Sequence, residues 1–219
     1  MRDHWWWRPG WKLGRRAYTF HITFDGTTVE GGDELRRLAG QYQRRLAGLP
    51  GLDLVPLEWL HLTMQNVGFT DEVSDRDIQA IRAEARSRCL SLAPFELTFG
   101  PVEIRREEAV AVRASPPEPV ATLRDTVASA IAEVLGPDAV PLAPEHVQGY
   151  QPHVSVAYGN AEASGDPIAE ALALVEPPPA TVKILAASLI VLDRDEHVYR
   201  WSRYGEIPLG GKVGARAVR

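Results

Sequence analysis

The chain has 219 residues, 45% hydrophobic and 24% charged, with a net charge of −5 and a single cysteine, Cys89. That composition is globular, with material for one sizeable core. It excludes a disulfide framework and a cysteine-rich zinc site, and no apolar run approaches the roughly 20 residues of a membrane helix.

The basic residues gather at the ends. Arg2, Arg8, Lys12, Arg15 and Arg16 stand against Asp3 in the first 16 residues, and Lys212, Arg216 and Arg219 close the chain, which leaves −12 on the body between. Such a body repels long nucleic-acid tracts but admits a small anion, or the end of an RNA, at a local basic patch. The opening stretch, HWWWRPGWKLGRR, lacks the aliphatic run and cleavage site of a signal peptide. The expectation is a soluble, cytoplasmic monomer. The four tryptophans of this segment, residues 1–16, could stack on bases beside their arginines. The favoured reading is that they pack on the body of the first lobe, because exposed indoles are costly.

From residue 17 the elements follow in order. RRAYTFHITFDG is a strand ending at the turn signal Asp25-Gly26. DELRRLAGQYQRRLAG puts Leu35, Leu38, Ala39, Tyr42 and Leu46 on one helical stripe behind Gly31-Gly32 and Asp33. EWLHLTMQNV is a strand. SDRDIQAIRAEARSRCL carries a capping pattern, Ser74 with Asp77, and a stripe of Ile78, Ile81, Ala85 and Cys89, so Cys89 is a packing residue. FELTFGPVEI and AVAVRA form a hairpin. EPVATLRDTVASAIAEVLGP is a helix with Pro119 in its first turn and Gly136-Pro137 as its stop. A loop then leads into QPHVSVAYGN, a strand. Asp166-Pro167 opens a last helix, and TVKILAASLIVL with HVYRWSRY forms a closing hairpin. Frequent hairpins, and no glycine-rich phosphate loop, predict an α+β fold with mainly antiparallel sheets and helices outside. His61 and His153 lie 92 residues apart, each on a strand followed by a helix and a hairpin. This weak repeat predicts two pseudo-symmetric lobes sharing a central groove.

The candidate chemistry lies on those two strands. Alternate strand residues share a face. Alternation therefore groups His61 and Thr63 with Trp59 and Gln65, and His153 and Ser155 with Gln151 and Ala157, each opposite a core-facing set. Two imidazoles and two hydroxyls around one groove suit phosphodiester hydrolysis. One histidine serves as base and the other as acid near neutral pH, while the hydroxyls donate to phosphate oxygens as charge develops. No metal or other cofactor is required, and a strained 2′,3′-cyclic phosphate is an apt substrate. A third triplet, His21-Ile22-Thr23, has no counterpart in the second lobe, so His21 reads as a structural or cleft-edge histidine. His4, His146 and His197 lack ligand-like spacing with carboxylates, and Asp193 and Asp195 read as turn residues.

LHLTMQNVGF and QPHVSVAYGN resemble the two signature motifs of the two-histidine phosphoesterase superfamily, which includes the bacterial 2′-5′ RNA ligases that act as RNA 2′,3′-cyclic phosphodiesterases. The resemblance spans residues 17–207, with residues 208–219 as a basic flexible tail. It implies a bilobal fold, His61 and His153 as the acid/base pair, and Thr63 and Ser155 as phosphate ligands, serine keeping the hydroxyl of the usual threonine. Of the pair, His153 is expected to activate water and His61 to protonate the leaving oxygen. Further candidate substrate contacts are Gln65, Tyr158 and His21. Tyr158 stands where some members have a basic residue, and alternation also allows it a place in the core. The implied substrate is a nucleotide or RNA end bearing a 2′,3′-cyclic phosphate, with no metal and no membrane. The alternatives are 2′-5′ oligonucleotide cleavage, ADP-ribose cyclic phosphate hydrolysis, 2′-5′ RNA end joining, or a non-catalytic nucleotide-binding module.

Overall fold

The computed structural model of the chain describes residues 1–140 and 150–210, so His146 and the end of the basic tail, 211–219, lie outside the described residues. In chain order the elements are β1 (Ala17–Thr23), β2 (Val29–Glu30), α1 (Gly32–Leu46), β3 (Leu52–Leu54), β4 (His61–Phe69), α2 (Asp75–Cys89), β5 (Phe95–Arg105), β6 (Ala109–Ser115), α3 (Glu118–Leu135), β7 (His153–Gly159), α4 (Asp166–Ala173), β8 (Ala180–Ile184), β9 (Ala186–Asp193) and β10 (Arg200–Pro208). They build an α+β fold from two sheets, one in the order β10-β9-β1-β4 and one in the order β2-β8-β5-β6-β7-β3. Every pairing is antiparallel.

The helices form where apolar spacing and end signals coincide. The predicted stripe of α1 is buried in full. Gly31 precedes it with φ +85°, and a Cβ there would come within 2.8 Å of the Thr181 carbonyl, so only glycine lets α1 start this close to β8. Ser74 caps α2 by accepting from the Asp77 amide at 3.2 Å, and Ile78, Ile81, Ala85 and Cys89 form its buried face. Gly136 ends α3 with φ +91°. Helices α2 and α3 pack on each other and on β10 and β4, whereas α1 lies against β7 and β8 with α4 beside it. Each sheet therefore has its own helical layer.

Two features differ from the expected repeat. The apolar run TVKILAASLIVL is two strands, not one. The chain turns at Leu185, where the Leu185 and Ala186 amides both donate to the Thr28 carbonyl, and β8 joins one sheet while β9 joins the other. The hairpins are also exchanged. The β5–β6 hairpin that follows β4 joins the sheet of β7, and the β9–β10 hairpin that follows β7 joins the sheet of β4. The expected tail begins later as well: Pro208 closes β10, Leu209 is buried and donates to Leu185, and the Gly210 amide reaches the Cys89 carbonyl.

Loss of the α2 cap tests the helix assignment. Ser74→Ala should cost about 1 kcal/mol of stability, read as a lower urea midpoint at unchanged slope. A midpoint equal to wild type would contradict the capping role.

Candidate active site

The two motif strands sit in different sheets yet touch, and the Tyr150 hydroxyl, just before the second motif, donates to the Thr63 carbonyl in the first at 2.8 Å. Both motif histidines are held the same way. His61 Nδ1 lies 2.8 Å from the Trp59 carbonyl and His153 Nδ1 lies 2.9 Å from the Gln151 carbonyl. A carbonyl only accepts, so in the neutral ring each Nδ1 carries the proton and each Nε2 the lone pair.

Register decides what lies beside them. In the β1–β4 ladder Thr23 pairs with His61, His21 with Thr63 and Thr19 with Asn66. Cross-strand partners share a face, so these six side chains form the site side of the sheet. The partner of Phe20 is Gln65, and Met64 is left over as a bulge between two paired positions. The bulge shifts the alternation, so Gln65 is buried on the Phe20 side and Asn66 takes the place expected for it. A second bulge, at Val156, does the reverse for Tyr158. Arg113 pairs with His153, Ala111 with Ser155 and Ala109 with Tyr158, so Tyr158 faces the site and not the core with Val154. Its ring is buried there, on the same face as Ser155.

His61 is 6% exposed and enclosed by rings. His21 stacks on it with centroids 4.8 Å apart, while Tyr199 and Trp201 meet it edge-on at 5.6 Å and 5.4 Å. Strand β10 is three places from β4 in its sheet, about 14 Å at the usual strand spacing. Ring contact across that distance means the sheet curls over this face. Burial pulls the His61 pKa below the ordinary 6.5, and the Trp59 carbonyl offsets this in part. Burial, and then the nearby His61, pull His21 well below that value. Thr63 is exposed, Ser155 is buried and His153 is half-buried at the mouth. Arg105 donates to the Gln151 side chain at 3.2 Å and pairs with Glu103 at 2.6 Å, and Glu103 also holds Arg113.

The structure therefore brings His21, His61 and Thr63 together on one strand pair, and His153, Ser155 and Tyr158 on another. Gln65 is the one candidate that it turns away. Sequence reasoning missed Asn66, Arg113, Tyr199 and Trp201. For the last two the signal was present, since Tyr199 and Trp201 alternate in HVYRWSRY, but only the curl brings them near His61. Among the described residues no group of three or more His, Cys, Asp and Glu side chains is placed to hold a metal ion, and no helix is long and apolar enough to cross a membrane.

The model of one family, the 2′-5′ RNA ligase superfamily, matches residues 32–196, a span that includes both motifs. The chain belongs to the 2′-5′ RNA ligase superfamily. Among solved structures, TT0787 of Thermus thermophilus is 18% identical, with 90% of this chain and 99% of that one aligned at a TM-score of 0.67. LigT of E. coli, in its complex with 3′-AMP, is 17% identical over 90% of this chain and 99% of its own, at a TM-score of 0.59. ATU0111 of Agrobacterium tumefaciens, a conserved protein of unknown function, is 12% identical over 86% of this chain and 85% of its own, at 0.55. At such identities these likenesses show a shared fold. Among curated proteins none matches the sequence significantly. This superfamily member thus has the two-histidine phosphoesterase architecture that its motifs imply, with His21, Tyr199 and Trp201 outside the matched span.

The imidazole geometry has a direct spectroscopic consequence. Nitrogen-detected NMR should find neutral His61 as the Nδ1–H tautomer, titrating below pH 6.5 in the free protein and moving upward when inorganic phosphate binds. An Nε2–H tautomer, or a midpoint at or above 6.5 without ligand, would contradict the hydrogen bond or the burial.

Proposed function

We propose that this superfamily member is a metal-independent phosphodiesterase that hydrolyses 2′,3′-cyclic phosphates of small nucleotides or RNA ends. The observation that supports it most is the matched pair of imidazoles, each with Nδ1 fixed on a carbonyl two residues earlier. Each has a hydroxyl residue two positions further along its strand. The complexes of E. coli LigT with phosphate, 3′-AMP and ATP agree with nucleotide binding in this fold.

Solvent access favours one division of roles. His153 is the more open of the two and reaches water, so it takes the proton of the attacking water as the P–O bond forms. His61 is enclosed, and burial makes its protonated form a strong acid. It gives its proton to the ribose oxygen as the ring P–O bond breaks, leaving a phosphomonoester and a hydroxyl. Thr63 and Ser155 donate to the non-bridging oxygens, whose charge grows in the transition state. His21 backs the His61 ring. Tyr158 lies on the phosphate side, on the face of Ser155, and Gln65 takes no part in contacting substrate. The arginines of the N-terminal segment are largely committed to acids of the protein: Arg2 to Glu107, Arg8 to Glu108, and Arg15 to Asp71 and Glu72. That pairing favours a small substrate or an RNA terminus over a long backbone track.

Turnover of 2′,3′-cyclic nucleoside monophosphates in excess EDTA tests this reading. Wild type should remain active, and His61→Ala and His153→Ala should each lose about 10²–10⁴-fold in kcat. Activity lost with the metal, or retained by either variant, would refute the mechanism.

The acid role also fixes a pH dependence. A group needed in its protonated form gives activity below its pKa and loses it above. With the His61 pKa lowered by burial, kcat/KM, which reports the free enzyme, should be highest on the acid side of pH 6.5 and fall toward neutrality. A profile that instead climbs through that range to a plateau would give His61 the role of base.

A further inference from the structure

The N-terminal segment lies across both sheets at one end of the site. The Arg2 and His4 amides donate to Glu107 and Gly159 at 2.5 Å and 2.8 Å, and the Met1 nitrogen bonds the Ala163 carbonyl, all on the side of β6 and β7. On the other side Arg194 donates to the His4 carbonyl at 3.0 Å, and Trp5 stacks on His197 at 5.4 Å. The Trp5 indole also donates to Asp53 at 3.0 Å. A Cβ on Gly159, which ends β7, would collide with the Arg2 carbonyl. The second motif strand therefore ends in a glycine that leaves room for the segment. The segment packs on both lobes, not on the first alone. Trp5 is its anchor, while Trp6 and Trp7 stay 49% and 53% exposed.

His4 is the residue that this path delivers to the site. Its ring stacks on Tyr158 with centroids 4.1 Å apart, and its Nε2 lies 2.9 Å from the Tyr199 hydroxyl. Its Nδ1 faces the Glu108 carboxylate at 3.5 Å. That approach is no hydrogen bond, so the bond between Nε2 and the Tyr199 hydroxyl is the ring's own polar anchor. Burial, with Arg8 and Arg194 nearby, holds the ring neutral, its pKa lowered to about 3. Tyr158 shares a strand face with Ser155, and Tyr199 meets His61. One neutral imidazole thus touches a tyrosine beside each motif.

We infer that His4 is a positioning residue of the active site, which holds the Tyr158 ring on the face of Ser155 and sets His61 through Tyr199, so that the N-terminal segment completes a site the two motifs leave open. The inference rests on the phosphodiesterase reading for its substrate but not for its geometry. His4, Tyr199 and the segment all lie outside the span matched by the family model.

The test uses the full chain, a 2′,3′-cyclic nucleoside monophosphate as substrate and inorganic phosphate as ligand. His4→Ala should lower kcat between about 10- and 100-fold, as misplacement of reacting groups does, with KM changed less than kcat, and should weaken phosphate binding. His4→Phe keeps the stack on Tyr158 but loses the hydrogen bond with Tyr199, so it should fall between His4→Ala and wild type. Tyr199→Phe removes the same hydrogen bond from the other side and carries the test if His4→Ala fails to fold. Trp7→Ala, on the same segment, should behave as wild type. The inference is overturned if the His4 and Tyr199 variants keep wild-type kcat and phosphate affinity and lose only melting temperature. If wild type binds phosphate without turning over the cyclic nucleotide, the phosphodiesterase reading fails, and weaker phosphate binding by His4→Phe still supports the positioning role.

Discussion

Two carbonyl oxygens, those of Trp59 and Gln151, fix the direction of the chemistry. Each accepts Nδ1–H from the imidazole two residues later. Each is free to do so because it lies just ahead of a strand: Trp59 ends a short 3-10 turn, and Gln151 precedes the first ladder residue of β7. Had either belonged to the ladder, its lone pairs would face a neighbouring strand and the ring would turn freely. The placement of the strand starts, at His61 and at His153, is thus what gives the protein two imidazoles with the same tautomer. The hydroxyls follow from the pleat, two positions on.

The helices were legible because their signals are local. Apolar spacing in α1, and the Ser74–Asp77 cap of α2, depend on neighbours within one or two turns. The motif residues were legible for the same reason, since alternation over three residues survives any distortion further along. Beyond that range alternation fails. One unpaired residue at Met64 turns Gln65 inward, and one at Val156 turns Tyr158 outward. A bulge has no composition signature in these strands, so parity misplaces both residues. The break at Leu185 is hidden in the same way. The run on either side of it is continuously apolar because both β8 and β9 are largely buried, and uniform burial erases the period that would separate them.

That break has a mechanical consequence. The sheet of His61 draws β9 and β10 from the end of the chain, and the sheet of His153 draws β2 and β3 from near its start. Each lobe is therefore built from both halves of the sequence, and the backbone passes from lobe to lobe several times. A groove between two lobes joined by one linker would open by hinge motion. Here the exchanged hairpins, and a segment bonded to both sheets, hold its walls. Such a frame suits a reaction in which a base and an acid must stay in line on opposite sides of one phosphorus atom.

The same enclosure governs charge. Burial lowers the pKa of His4, His21 and His61, and His61 lowers those of the other two further. A proton on any of them is unfavourable in the free protein, and no carboxylate touches the His61 ring among its described contacts. An anionic phosphate reverses that balance locally, because a charge of opposite sign within a few ångströms raises the pKa of the imidazole it meets. In the proposed mechanism His61, rather than His21, is the ring that a phosphate would meet, since His21 is almost fully covered by its neighbours. On that proposal substrate would bring with it the charge that loads the acid. The proton so acquired would sit on an imidazole whose surroundings favour its release, and the leaving oxygen, as its bond to phosphorus breaks, would be the base that receives it.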